Sequence, residues 1–171
     1  AMVRYTDKIL GRFIKKLEDL GIRDKTMIVW TTDNGTVGTI TGTQNGRQVK
    51  GQKSYPVEPG ICVPFIVSAP GLVPEGVTTD ALTDVTDLLP TFADLTEGEL
   101  QPGYEYDGVS IADFIRGKSD DTPRDWILGM GGKNEAKLTD DGVENRFVFR
   151  DRVLREKRFK LYVSTKREAV K

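Results

Sequence analysis

Asp33 and Asn34 stand side by side at the end of an apolar run, and they are the residues whose types and spacing first point to chemistry. A carboxylate next to an amide oxygen suits a hard cation such as Ca2+ or Mg2+, because both groups offer oxygen, whereas Zn2+ prefers nitrogen or sulfur. The residues before them, Met27 to Thr32, are apolar or β-branched and predict a buried strand; Gly35 behind them predicts a turn. Ligands of open α/β sheets collect just beyond the carboxyl ends of strands, so this pair occupies a place where a metal ion or an anion would be held. Asp-Asn and Asn-Gly are also ordinary turn chemistry, and on these residues alone both readings stand.

A second candidate lies downstream in Lys50-Gly51-Gln52-Lys53-Ser54. Gly51 and Ser54 flank Lys53, which lets the backbone come close to a bound group and leaves the ammonium free to point inward. Lys50 reads as a solvated loop residue. The segment continues through Glu58-Pro59-Gly60-Ile61-Cys62-Val63-Pro64-Phe65-Ile66-Val67 to Ala69-Pro70-Gly71, and Thr86-Asp87-Leu88-Leu89-Pro90-Thr91-Phe92 follows. Taken in order with the strand and Thr32-Asp33-Asn34-Gly35, these motifs resemble the C-terminal half of a type I, formylglycine-dependent sulfatase of the alkaline-phosphatase superfamily. The match runs from the opening helix to Lys160-Leu161-Tyr162.

The resemblance implies an α/β fold, namely part of the alkaline-phosphatase/sulfatase-like sheet with flanking helices plus a small C-terminal antiparallel α+β unit. It divides the chain into residues 1–104, the C-terminal part of the catalytic domain, and residues 105–171, an incomplete small subdomain. It also implies that Asp33 and Asn34 are metal ligands for Ca2+ or Mg2+, that Lys53 contacts the sulfate group, and that the substrate is a sulfate ester. In the family the formylglycine, two further aspartates and the sulfate-binding histidines lie upstream. The expectation is therefore a fragment with half a site, inactive by itself, from a sulfuric ester hydrolase that the family places in the periplasm or outside the cell. Two alternatives stand beside it: by resemblance, a phosphatase or phosphodiesterase of the same superfamily, where histidine suited to Zn2+ typically follows the aspartate that Asn34 follows here, or a non-catalytic binding module.

The elements that must position these residues are legible in part. Val3 to Leu20 carries apolar residues at 3, 9, 10, 13, 14, 17 and 20, the period of an amphipathic helix, and Gly21 ends it. In the family this helix packs on the central sheet. Thr36 to Gly60 reads as one long loop with little hydrophobic periodicity. Val63 to Ser68 predicts a second buried strand neighbouring the first, entered through Cys62. That cysteine mimics the start of the sulfatase nucleophile motif but lacks its arginine, Ile66 standing in that place, and reads as a small buried hydrophobe. Asp84 and Asp87 read as capping or solvated positions ahead of a helix at 87–95, with Pro90 forcing a kink or a short turn before the main run. Tyr104 to Ser110, Phe114 to Gly117 and Pro123-Arg124-Asp125-Trp126 match scaffold markers of the family. Gly129 to Gly142 reads as a mobile polar connector, and Arg146–Leu154 and Arg158–Val163 as antiparallel strands.

Composition excludes several classes. The chain of 171 residues has 25 Lys+Arg against 26 Asp+Glu, so no basic excess recommends nucleic acid. No apolar run is long enough to span a bilayer. One cysteine makes no internal disulfide, and zero histidines leave any chemistry to carboxylates, amides, lysines and arginines. If the upstream strands are absent, the sheet has an uncovered edge, and self-association through it is expected.

Overall fold

The computed structural model describes residues 2–131, 138–140, 142–143 and 151–163. Helix α1 (Met2–Asp19) forms where the apolar period predicts it. It ends in a Schellman motif: Gly21, at φ 66°, donates its N–H to the Glu18 carbonyl at 2.9 Å, and Ile22 donates to the Leu17 carbonyl at 3.0 Å. The left-handed φ is why glycine stands there. No α1 residue is buried, and Met2, Val3, Tyr5 and Phe13 are largely exposed, so the expected packing of this helix on a sheet is not made by the described residues.

A short 3-10 turn, Arg23–Lys25, leads into β1 (Ile28–Thr31). Thr36 to Gly60 is not one unstructured loop. It folds into a hairpin of β2 (Thr41–Gln44) and β3 (Arg47–Lys50), followed by a helical turn α2 (Glu58–Ile61). The hairpin turns on Asn45 and Gly46, both at positive φ (49° and 76°), the geometry for which Asn-Gly is the preferred dipeptide. That signal outweighs the missing hydrophobic period, because β2 is wholly exposed and β3 nearly so, and exposed strands have no apolar face to display. Lys50 lies exposed at the end of β3.

Strand β4 (Phe65–Ser68) pairs antiparallel with β1, Ile28 opposite Ser68 and Thr31 opposite Phe65. Arg23 staples the open end of this pair, donating to the Thr26 carbonyl at 2.7 Å and to Ser68 Oγ at 2.6 Å. The two strands are neighbours as expected, but they are not buried: β1 is half-buried with Thr31 exposed, and β4 alternates, Ile66 being 57% exposed. Uniformly apolar strands are those covered on both faces, and among the described residues no third strand joins this pair.

The buried core lies elsewhere, around α3 (Leu88–Leu95) and α4 (Ala112–Ile115), with Leu82, Ile111, Ala112 and Ile115 inside. Asp87 organises it. Asp84 and Asp87 form a capping box over the 3-10 turn Val85–Asp87, which precedes α3 and lets Pro90 fall in the first turn of that helix, where no N–H is missed. Asp84 is thus a cap, but Asp87 is neither solvated nor a cap alone. It is fully buried, accepting from the Val109 N–H at 2.9 Å and from Arg124 Nε at 2.8 Å, with a second contact from the other arm of the guanidinium. The Asp87 hydrogen bond holds the Arg124 guanidinium above its ordinary pKa, against the opposing effect of burial. Thr91 accepts from the Ile111 N–H at 3.0 Å, and Thr122 donates to the Leu82 carbonyl at 2.6 Å. The bonds accepted by Asp87 thus tie the start of α3 to two of the scaffold markers, at Val109 and at Arg124.

The C-terminal part is antiparallel, as predicted. Strand β5 (Ile127–Met130) stands at the edge of a sheet ordered β5-β8-β9, and β6 (Leu138–Thr139) pairs with β7 (Gly142–Val143) as a separate small ladder. Strands β8 (Arg152–Arg155) and β9 (Lys160–Val163) are joined by a turn closed by Glu156 N–H to the Phe159 carbonyl at 2.9 Å. Strand β5 corrects the reading of Gly129 and Met130 as connector; the rest of that connector lies mostly outside the described residues, as do residues 146–150 of the predicted strand.

Candidate functional site

Asp33 and Asn34 follow β1 after Thr32, on the bend between the strand and Gly35. Asp33 is exposed and Asn34 half-buried, and the amide of Asn34 donates to Asp33 Oδ2. This leaves Asp33 Oδ1 and Asn34 Oδ1 without a donor among the described residues, two oxygens of neighbouring side chains at one strand end. That donor set fits a hard cation, which takes carboxylate and amide oxygens and completes its shell with others. Among the described residues no group of three or more acidic, histidine or cysteine side chains gathers to hold a metal, so the pair is at most part of a shell.

Lys53 sits in a turn tied to the same bend by the backbone. Its N–H donates to the Thr36 carbonyl at 2.9 Å, and the Gly35 N–H donates to the Gly60 carbonyl at 2.9 Å. Three glycines allow this. A Cβ on Gly35 would overlap the Pro59 carbonyl, one on Gly51 the carbonyls of Thr36 and Val37, and one on Gly60 those of Gln52 and Tyr55. Backbone therefore stacks directly on backbone from the Asp33-Asn34 bend through Lys53 to α2, and no residue with a side chain fits at the three crossings. Ser54 is held at φ 77°, a left-handed conformation unusual for a non-glycine residue, immediately after Lys53. The Lys53 side chain itself is exposed.

Asp33, Asn34 and Lys53 are thus brought onto one backbone cluster. Gly51 was legible beforehand as the residue giving Lys53 its room; Gly35 and Gly60 carry the same function, and their signal was the recurrence of glycine at each motif. Cys62 is exposed, which corrects its reading as a buried hydrophobe. It caps α2, its N–H donating to the Glu58 carbonyl at 2.8 Å, and the alternation of β4 that begins after it turns the cysteine outward.

The sulfatase family model matches residues 1–98. An ulvan-active sulfatase of Formosa agariphila is 28% identical over 147 residues, covering 86% of this chain and 25% of its own length. Arylsulfatase G of Homo sapiens is 32% identical over 126 residues, covering 66% of this chain and 23% of its own. The chain thus spans about a quarter of the length of these curated relatives. A solved structure described as a complex with its substrate D-glucosamine-2-N,6-O-disulfate shares the fold, with a TM-score of 0.70 at 24% identity over 97% of this chain and 31% of that one. With the family model covering more than half of the residues, from α1 through the Asp33-Asn34 bend and the Lys53 turn to the end of α3, the chain belongs to the sulfatase family.

Proposed function

We propose that this chain supplies part of the active site of a sulfuric ester hydrolase, with Asp33 and Asn34 as oxygen ligands of a hard divalent cation, Ca2+ or Mg2+, and Lys53 as the cation that faces the sulfate. The observation that carries this reading is the backbone cluster that holds the Lys53 turn against the Asp33-Asn34 bend through the Lys53 N–H, the Gly35 N–H and the three glycine crossings. When bound, the divalent ion polarises a sulfate oxygen and a formylglycine of the family supplies the nucleophile. The chain's own residues do the rest. Asp33 and Asn34 present oxygens fixed at a strand end, and the Lys53 ammonium stabilises negative charge on the sulfate oxygens as the ester S–O bond breaks.

The small subdomain beginning near residue 105 is scaffold in this reading, joined to the rest through Asp87 and Arg124. The nucleophile is not Cys62, which has Ile66 where the motif needs arginine. The chain alone therefore binds sulfate without turnover, while the full-length protein turns over a chromogenic aryl sulfate. Turnover by the 171-residue chain alone would contradict the proposal.

The β1–β4 pair leaves both outer edges without a partner strand among the described residues, with Ile66 exposed on β4. The isolated chain is expected to self-associate through this surface, strand edge to strand edge. Light scattering across a concentration series should show a mass above that of one chain, falling on dilution; a monomer at every concentration would contradict it.

A further inference from the structure

The C-terminal sheet reaches the candidate site through one carboxylate. Glu58, the first residue of α2, ion-pairs with Lys160 and lies 3.8 Å from Arg155 Nε. Arg155 and Lys160 are register partners across β8 and β9, so two cations on adjacent strands converge on the same acid. The sheet meets this segment through apolar contact as well: Gly131 lies against Pro56, where a Cβ would collide, and Gly129 against the end of the Ile61 side chain, where a Cβ would be tight at 3.0 Å. On the opposite side α2 is locked to the site. Its Gly60 carbonyl receives the Gly35 N–H, and Gly60 rests on the carbonyls of Gln52 and Tyr55, which bracket Lys53.

From this arrangement we infer that Glu58 is a positioning residue: clamped by Arg155 and Lys160, it fixes α2 and, through Gly60, sets the spacing between the Asp33-Asn34 bend and Lys53. The inference rests on the reading of Asp33, Asn34 and Lys53 as a cation and sulfate site. A decorative surface pair would not look like this one. Arg155 and Lys160 are three-quarters covered, burial holds the Lys160 ammonium below its usual pKa, and a desolvated ammonium stays charged at neutral pH most readily beside a carboxylate. The pair also joins segments a hundred residues apart in sequence, where a local ion pair would constrain little.

The test has two arms. In the chain itself, Glu58→Gln and Lys160→Met should each speed amide hydrogen exchange at Gly35 and Lys53 by about fivefold, the size expected for losing a partly exposed ion pair. The double variant should be no faster than either single one, and exchange at Ile111, bonded to Thr91 in the core, should not change. In the full-length protein, Glu58→Gln should lower kcat on a chromogenic aryl sulfate by about tenfold with KM little altered, and Glu58→Asp should restore most of it. A purely structural role would move Tm without this split or rescue. Unchanged exchange at Gly35 and Lys53, or unchanged kcat in Glu58→Gln, overturns the inference. Faster exchange in Glu58→Gln together with full activity in Lys53→Ala overturns instead the reading of the site, and the positioning role with it.

Discussion

Asp33→Ala in the full-length protein should cost roughly 100- to 1,000-fold in kcat on a chromogenic aryl sulfate, and Lys53→Ala a loss of similar order, the range seen when one preorganised charge stabiliser is removed from a transition state. The two losses should differ in form. With Asp33 as a ligand of the cation, as proposed, its variant should recover part of its rate as Ca2+ is raised, because weakened binding is offset by mass action. With Lys53 facing only the sulfate, as proposed, its variant should not respond to metal, and its deficit should persist at saturating substrate, since a charge that grows in the transition state is stabilised more there than in the ground state. Steady-state kinetics at several Ca2+ concentrations separate the cases. Full activity in either alanine variant would show that the backbone cluster positions something other than the sulfate site.

The second large effect is on stability. Asp87→Ala removes the acceptor from a buried guanidinium and leaves Arg124, its side chain only 9% exposed, without its partner at the centre of the core. Stranding one charge of a buried pair costs about 3–5 kcal/mol, which for a chain of this size lowers Tm by roughly 10 °C. The Val109 N–H loses its acceptor in the same step, and the capping box over the 3-10 turn loses one half. Thermal unfolding followed by circular dichroism reads this directly; a Tm within a degree or two of the parent would refute the central place given to Asp87. The Lys157–Asp121 pair makes the contrast. The Asp121 carboxyl is held below its ordinary pKa, by the Lys157 hydrogen bond first and the Thr122 N–H second, so the pair's contribution is present above the unfolded carboxylate pKa and fades as pH falls through the folded one. But both side chains of the pair are exposed, and Lys157→Ala should leave Tm almost unmoved.

What the sequence made legible follows the range of the forces involved. Helix α1, its Gly21 stop, both strands β1 and β4 and the turn of helix before Pro90 rest on local periodicity and capping, and each appears within a residue or two of its expected place. The β2–β3 hairpin was hidden because the expectation rested on apolar alternation, which an exposed hairpin lacks, although Asn45-Gly46 carried the turn signal. Asp87 was legible as a cap and not as the core's buried anion, because its partner Arg124 is 37 residues away and nothing in either neighbourhood announces the pairing. Burial of β1 and β4 was overestimated for a related reason: apolar residues state a preference for cover, and whether cover exists depends on what else packs there. In the site itself, residue chemistry named Asp33 and Asn34, family resemblance gave Lys53 its role, and only the fold revealed the three glycine crossings that join them.

The most direct measurement of the central claim is a crystal structure of the full-length protein grown with Ca2+ and sulfate. The account predicts that Asp33 and Asn34 release their mutual hydrogen bond and present oxygens to one cation at about 2.3–2.6 Å, with a sulfate oxygen within reach of the Lys53 ammonium. A cation ligated elsewhere, with the Asn34 amide still donating to Asp33 and no anion beside Lys53, would contradict it.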